Sequence, residues 1–394
     1  REEEKTQHNV RALVHVIKAI LPTELGHLVH VGATSVDVLD TAMAMRVRDA
    51  VREVIVPELI SLERALAGMA RDEAETLQVG RTHGRHAVPT TFGYAISEYV
   101  SRLGKAIEEI EARSRDLRGK IAGAIGAYNA TSVVSADPRG FERRTLTRLG
   151  LKPSDHATQM VEPEYMLRLL LSLNVAFGIL ANLADDFRHL QRSEIDELRE
   201  SFTSTQVGSS TMPQKRNPWN SEHIKSLWKA YAPRVMTFFM DQISEHQRDL
   251  TNSASGRFVT EYLAGFTAAI ARTLKVTRSL YVDRETMRER VSDPSIFAEP
   301  AYILLALTGE TEAHEIVKQA TLSAEKDEKS FLEILKTSTT SWSAIEARLT
   351  ATLGLSTEEF FAHPEAYTGL SSQRAREIAE EFSTRMDQVQ GRLA

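Results

Sequence analysis

Residues 164–198 read EYMLRLLLSLNVAFGILANLADDFRHLQRSEIDEL, and this stretch decides the fold class. Met166, Leu169, Leu170, Leu173, Val175 and Ile179 leave hardly a polar face, the pattern of a helix buried on most sides. No proline interrupts it. The same reading extends outward. Upstream, Val88 to Arg118 carries Ala95, Tyr99, Leu103, Ala106, Ile107 and Ile110 at helical spacing. Downstream, Trp219 to Gln247 and Val259 to Val282 read as two more long helices. No sustained two-residue alternation supports a large sheet. Long helices close in sequence predict an all-α fold built on a bundle.

Three domains are expected. Residues 1–85 carry shorter helices and histidine-rich connections, and residues 86–282 carry the long-helix bundle. In residues 283–394 the helices shorten and charge density rises, with turn signals at Asp293-Pro294, Thr308-Gly309 and His363-Pro364. The run Glu325-Lys326-Asp327-Glu328-Lys329 reads as a solvated face.

A chain of 394 residues buries a large core. Its 42% apolar and 26% charged content are ordinary for a soluble globular protein. A net charge of −6 lacks the basic footprint of nucleic-acid binding. No apolar run reads as long enough to span a bilayer, so no membrane partner is expected. The start, Arg1-Glu2-Glu3-Glu4-Lys5, lacks the apolar core of a secretory signal. There is no cysteine, which excludes disulfides and thiol catalysis and fits a cytoplasmic setting.

The densest chemistry lies in Gly208-Ser209-Ser210-Thr211-Met212-Pro213-Gln214-Lys215-Arg216-Asn217-Pro218. Gly208 admits backbone conformations closed to other residues. Two hydroxyls follow, then two cations beside the Asn217 amide, and Pro218 suits the first position of the next helix. Such a segment can hold an anion and present a serine to it. Gly208 and the hydroxyl-rich run Ser201 to Thr205 predict a lid that closes over the site.

Other segments have site-like composition. In His30-Val31-Gly32-Ala33-Thr34-Ser35-Val36-Asp37 a glycine, two hydroxyls and an aspartate make a helix cap and an anion cradle. In Gly80-Arg81-Thr82-His83-Gly84 a histidine between glycines sits on tight backbone, and histidine is the side chain most used for acid–base work. The His83/His86 spacing has no third and fourth ligand at telling distance, so no metal is expected. Thr158-Gln159 reads as a helix cap. His246 to Ser253 and Arg257 form a polar run. The glycines of Gly119-Lys120-Ile121-Ala122-Gly123-Ala124-Ile125-Gly126 follow no strand, which excludes a P-loop or dinucleotide fingerprint and leaves close packing in a turn.

The eleven residues from Gly208 resemble the Gly-Ser-Ser-x-Met-Pro-x-Lys-x-Asn-Pro segment of the fumarase/aspartase superfamily, lyases that make or use fumarate by β-elimination. Within it, the chain looks most like adenylosuccinate lyases, over roughly Lys5 to Val282 and more thinly beyond. The resemblance implies three helical domains, with central bundles that pool into a homotetramer and active sites shared among subunits. It implies a succinyl-nucleotide substrate and no cofactor. Ser209 would be the base, Lys215 and Asn217 would stabilise the charged intermediate, and Ser210 and Met212 would lie against substrate. His83 would be the general acid with Thr82 as a hydroxyl contact. His30 would face the substrate, and Glu222 would pair with a histidine. Thr34, Ser35, Gln159, Arg248, Ser253 and Arg257 would bind substrate, the last two at the nucleotide. Gly256 departs from the glutamate many relatives carry before that arginine. Adenylosuccinate lyases also begin with a segment holding an Arg-Tyr pair for the phosphate, whereas this sequence starts at a point matching the interior of the first domain. A carboxymuconate cycloisomerase-like enzyme, an argininosuccinate lyase-like enzyme and an inactive structural descendant are the alternatives.

Overall fold

A computed structural model describes every residue except Thr203, Ser204, Val207, Leu250, Asp293 and Ala394, and the side chain of Pro294. The Asp293-Pro294 turn signal, part of the Ser201–Thr205 run and one residue after Asp249 therefore lie outside the described residues.

The all-helical class holds. Among the described residues only three two-stranded pairings occur. The principal helices are α1 (Asn9–Ile20), α2 (Ser35–Ala50), α3 (Val56–Asp72), α4 (Phe92–Arg115), α5 (Pro138–Arg148), α6 (Glu164–Leu190), α7 (Trp219–Tyr231), α8 (Phe258–Ser279), α9 (Ala313–Asp327), α10 (Thr339–Leu353) and α11 (Ser371–Leu393). The bundle core joins Leu59, Leu62 and Leu66 of α3 to Ile96, Val100, Leu103 and Ile107 of α4. Leu169, Leu173, Phe177 and Leu180 of α6 and Phe266 and Ile270 of α8 complete its centre. Each such side chain contributes about 1.5–3 kcal/mol by leaving water. Phe382 and Met386 of α11 belong to the same core, so the last helix returns to the bundle. Arg385 binds Glu108, and Arg392 lies 3.1 Å from Glu111, which fastens α11 to α4. A second core runs from Val291 to Phe361 and takes in Leu77 and Val79.

Several expected helix limits are corrected. The helix after Glu164 stops at Leu190 with Arg188 and His189 in its last turn, where cations suit the helix dipole. Its continuation forms a short strand, Leu198–Arg199, antiparallel to Tyr281–Val282. Val88 lies in a strand, not a helix: β1 (Leu77–Thr82) and β2 (Arg85–Thr91) form an antiparallel hairpin whose base is held by Leu77 and Val79. The helix from Trp219 ends at Tyr231, before Pro233 removes a backbone donor, and Pro218 precedes it as a cap. By length and composition α6 is apolar enough to cross a membrane, against the expectation that no such run exists. Its Leu169, Leu170, Leu173, Phe177 and Leu180 are fully buried in the bundle core.

Candidate active site

The segment from Gly208 to Pro218 folds back on itself just before α7. The Ser209 hydroxyl oxygen accepts from the Met212 N–H at 3.1 Å and the Thr211 N–H at 3.4 Å. The Asn217 amide donates to the Gly208 carbonyl at 3.0 Å. Gly208 is needed for closeness, not for an unusual φ: a Cβ there would lie 2.1 Å from the Lys215 carbonyl oxygen. Ser209 is half-buried, whereas Ser210, Met212, Lys215 and Glu222 are exposed. Behind the loop, Glu200 caps α7. Its carboxylate accepts from the Asn220 backbone at 3.2 Å and amide at 2.7 Å, and from the Ser221 backbone at 2.9 Å and hydroxyl at 2.6 Å. An acid at a helix N-terminus both fills orphan donors and opposes the dipole.

His83 sits at the tip of the β1–β2 hairpin. Thr82 pairs with Arg85, leaving His83 and Gly84 as a two-residue turn with φ of 55° and 73°. Positive φ at both positions is what a turn of the primed type requires, and it matches the strand twist. Thr82 and His83 are exposed. The hairpin is anchored one residue lower: Arg81 makes a two-pronged contact with Glu197, which also accepts from Gln78 at 2.9 Å and is fully buried.

His30 and Gly32 also take positive φ, in the turn that leads to α2. The His30 Nε2 atom is buried, with no hydrogen-bond partner among the described residues. At the start of α2, the Thr34 N–H donates to Asp37 at 2.7 Å, and Ser35 meets the His8 ring at 3.4 Å. Farther along α2, Asp40 accepts from the Val161 N–H at 3.0 Å, and burial pushes its carboxyl above the usual range. Asp40 lines a cleft of about 520 Å³ together with Arg118, Tyr165, Arg248, Ser253 and Arg257. Gln159 adjoins it, accepting from Arg248 at 3.4 Å. Among the described residues no group of three or more His, Asp or Glu side chains is placed to hold a metal ion.

Gln159, Arg248, Ser253 and Arg257 thus come together, with the Thr34–Ser35 turn on the same helix as Asp40. The hairpin tip and the Ser209 loop do not join them. Among the described residues, no hydrogen bond or ion pair links His83 or His30 to Ser209 or Lys215, or reaches the Glu222 carboxylate. Asp37 holds the Thr34 turn as the capping aspartate the sequence suggests, whereas Glu197, Glu200 and Lys120 hold these segments without a role in the sequence reading. Their signal was weak: an acid three residues from another after a long helix, and a lysine inside a glycine-rich turn.

A family model described as lyase matches residues 1–230, more than half of the chain. The chain belongs to the fumarase/aspartase superfamily of lyases. A second model, described as adenylosuccinate lyase C-terminal, matches residues 244–355, so the likeness continues well past Val282, where the motifs thinned. The adenylosuccinate lyase of Pyrococcus horikoshii is 33% identical over 85% of this chain and 75% of its own length. N-acetyl-S-(2-succino)cysteine lyase of Dickeya dadantii is 28% identical over 90% and 76%. The crystal structure of 3-carboxy-cis,cis-muconate lactonizing enzyme from Pseudomonas putida superposes with a TM-score of 0.83 at 21% identity. That match covers 97% of this chain and 84% of the other, and it speaks for the shared superfamily fold.

Proposed function

We propose that this superfamily member cleaves adenylosuccinate to AMP and fumarate, and acts likewise on the succinyl-carboxamide intermediate of purine synthesis. The observation that carries the reading is the Ser209 oxygen, which receives two backbone N–H groups on a loop that also bears Lys215. Donors aimed at an oxygen stabilise negative charge there, which a serine needs before it can act as a base. Ser209 takes a proton from the carbon next to a carboxylate, and that carboxylate becomes dianionic. Lys215 and Asn217 stabilise the added charge. The carbon–nitrogen bond then breaks on the opposite face, fumarate forms, and His83 gives the leaving nitrogen a proton. Arg248, Ser253 and Arg257 hold the nucleotide at the cleft, while Thr34, Ser35 and Gln159 hold the succinyl end.

In this reading the working unit is a homotetramer in a cytoplasmic setting. Two features support shared sites. Among the described residues no hydrogen bond or ion pair joins the hairpin tip to the Ser209 loop. The bundle also leaves Leu171 and Val175, one turn apart on α6, and Met240 and Ile243 open to solvent, with Val175 61% and Ile243 79% exposed. Exposed apolar side chains of that kind fit a subunit interface. The test is fumarate release from adenylosuccinate, argininosuccinate and N-acetyl-S-(2-succino)cysteine supplied in turn, and loss of the diene absorbance for carboxymuconate, which is lactonised without releasing fumarate. Adenylosuccinate is expected to give the highest kcat/KM by at least tenfold. A higher kcat/KM for another substrate reassigns the specificity, and no turnover of any leaves a structural descendant.

A further inference from the structure

Lys120 and Asp37 form an ion pair in which neither side chain has any exposure. A buried pair is not explained by stability, because apolar side chains of similar volume usually serve as well. What it fixes is geometry. The Asp37 carboxylate accepts from Lys120 and from the backbone N–H groups of Thr34 at 2.7 Å, Ala122 at 3.1 Å and Gly123 at 3.2 Å. Lys120 also donates to the Gly123 carbonyl at 3.1 Å. Its own backbone is held by Thr41 of α2, which accepts from the Lys120 N–H at 3.1 Å and donates to the Lys120 carbonyl at 3.2 Å. The next residue, Ile121, donates to Glu142 at 2.8 Å.

Two binding segments rest on this hub. On one side, Gly123 abuts the Gly32 carbonyl, 3.8 Å from where its Cβ would lie, in the turn that carries His30 and leads to Thr34 and Ser35. On the other, the Lys120 charge also acts on Asp40, which holds the Val161 backbone beside Gln159 and lines the nucleotide cleft.

Resting on the function proposed above, we infer that the Lys120–Asp37 pair is a positioning device that holds the Thr34–Ser35 turn in register for the succinyl end of the substrate. Neither residue touches substrate. Outer groups of this kind set the placement of the groups that do, and losing them commonly costs a site tenfold or more.

The test compares D37N, K120M and the double variant D37N/K120M with the parent protein. The double variant leaves no unpaired buried charge, so its melting temperature is expected to stay within a few degrees of the parent even where a single variant fails to fold. Its KM for adenylosuccinate is expected to rise at least tenfold, with kcat within about threefold, because the turn binds more than it reacts. Amide exchange at Thr34, Ala122 and Gly123 is expected to quicken. A folded double variant whose KM is unchanged, or whose three amides stay protected, overturns the inference. A parent protein that releases fumarate from no succinyl substrate refutes the function instead, and the exchange measurement still reads the clamp.

Discussion

Arg81→Ala removes the guanidinium from Glu197 and leaves that carboxylate fully buried, with Gln78 as its remaining side-chain donor. Breaking a buried pair from one side costs about 3–5 kcal/mol, because a charge is left without compensation. Arg81 is itself 17% exposed, so some water reaches the gap and the lower end applies, about 3 kcal/mol. For a chain of this length that lowers Tm by roughly 4 °C. Glu197→Gln is milder, because it leaves an arginine that water can partly solvate. Activity falls by a separate route. The pair stands directly below Thr82 and His83, and a shift of about 1 Å at a reacting group costs on the order of 100-fold. Thermal unfolding and fumarate release on the same samples read both effects. The reasoning fails if Arg81→Ala keeps its Tm within 1 °C, on the order of measurement error, while activity collapses. Arg81 would then act on the substrate and not on Glu197.

Two further outcomes follow from particular residues. Glu63 of α3 has no exposure and, among the described residues, no hydrogen-bond partner on either oxygen, and burial raises its pKa well above the ordinary 4.5 against the opposing charge of Arg385. A raised folded pKa means the native state holds the extra proton. The full contribution is therefore present below 4.5 and is lost as pH rises towards the folded value. Glu63→Met should flatten that decline and raise Tm at neutral pH, read by unfolding scans across a pH series. Gly208→Ala places a methyl group 2.1 Å from the Lys215 carbonyl oxygen, so the loop must open. Turnover should fall by about 100-fold or more with little change in Tm, since the loop carries little of the core.

The sequence exposes what is local and periodic. The α6 stretch shows its helix through apolar spacing, and the eleven residues from Gly208 show their chemistry through composition. Long-range partnerships leave no such mark. Nothing near Lys120 announces an aspartate 83 residues away. Glu197 reads as the tail of a helix until Arg81 and Gln78 arrive from a hairpin. That hairpin escapes notice because its alternation is short and its turn, His83-Gly84, lies inside a segment that the sequence marks by its histidine and glycines. The return of α11 to the bundle depends on Phe382 and Met386 meeting α3 and α4, which local spacing cannot announce. Gly208 was expected for its φ freedom, yet the structure uses its small size. The site residues are legible one segment at a time. Which segments meet is not, because the partners lie far apart in sequence: Gln159 and Arg248 meet across 89 residues.

In the proposed reaction the loop around Ser209 makes the serine basic. Ser209→Ala keeps the backbone that forms the loop and removes one oxygen. Titration calorimetry of this variant with adenylosuccinate, beside a fumarate assay, should find binding within about threefold of the parent and turnover reduced by at least about 1,000-fold. Turnover retained within tenfold, or substrate affinity lost along with activity, would contradict the role given to Ser209.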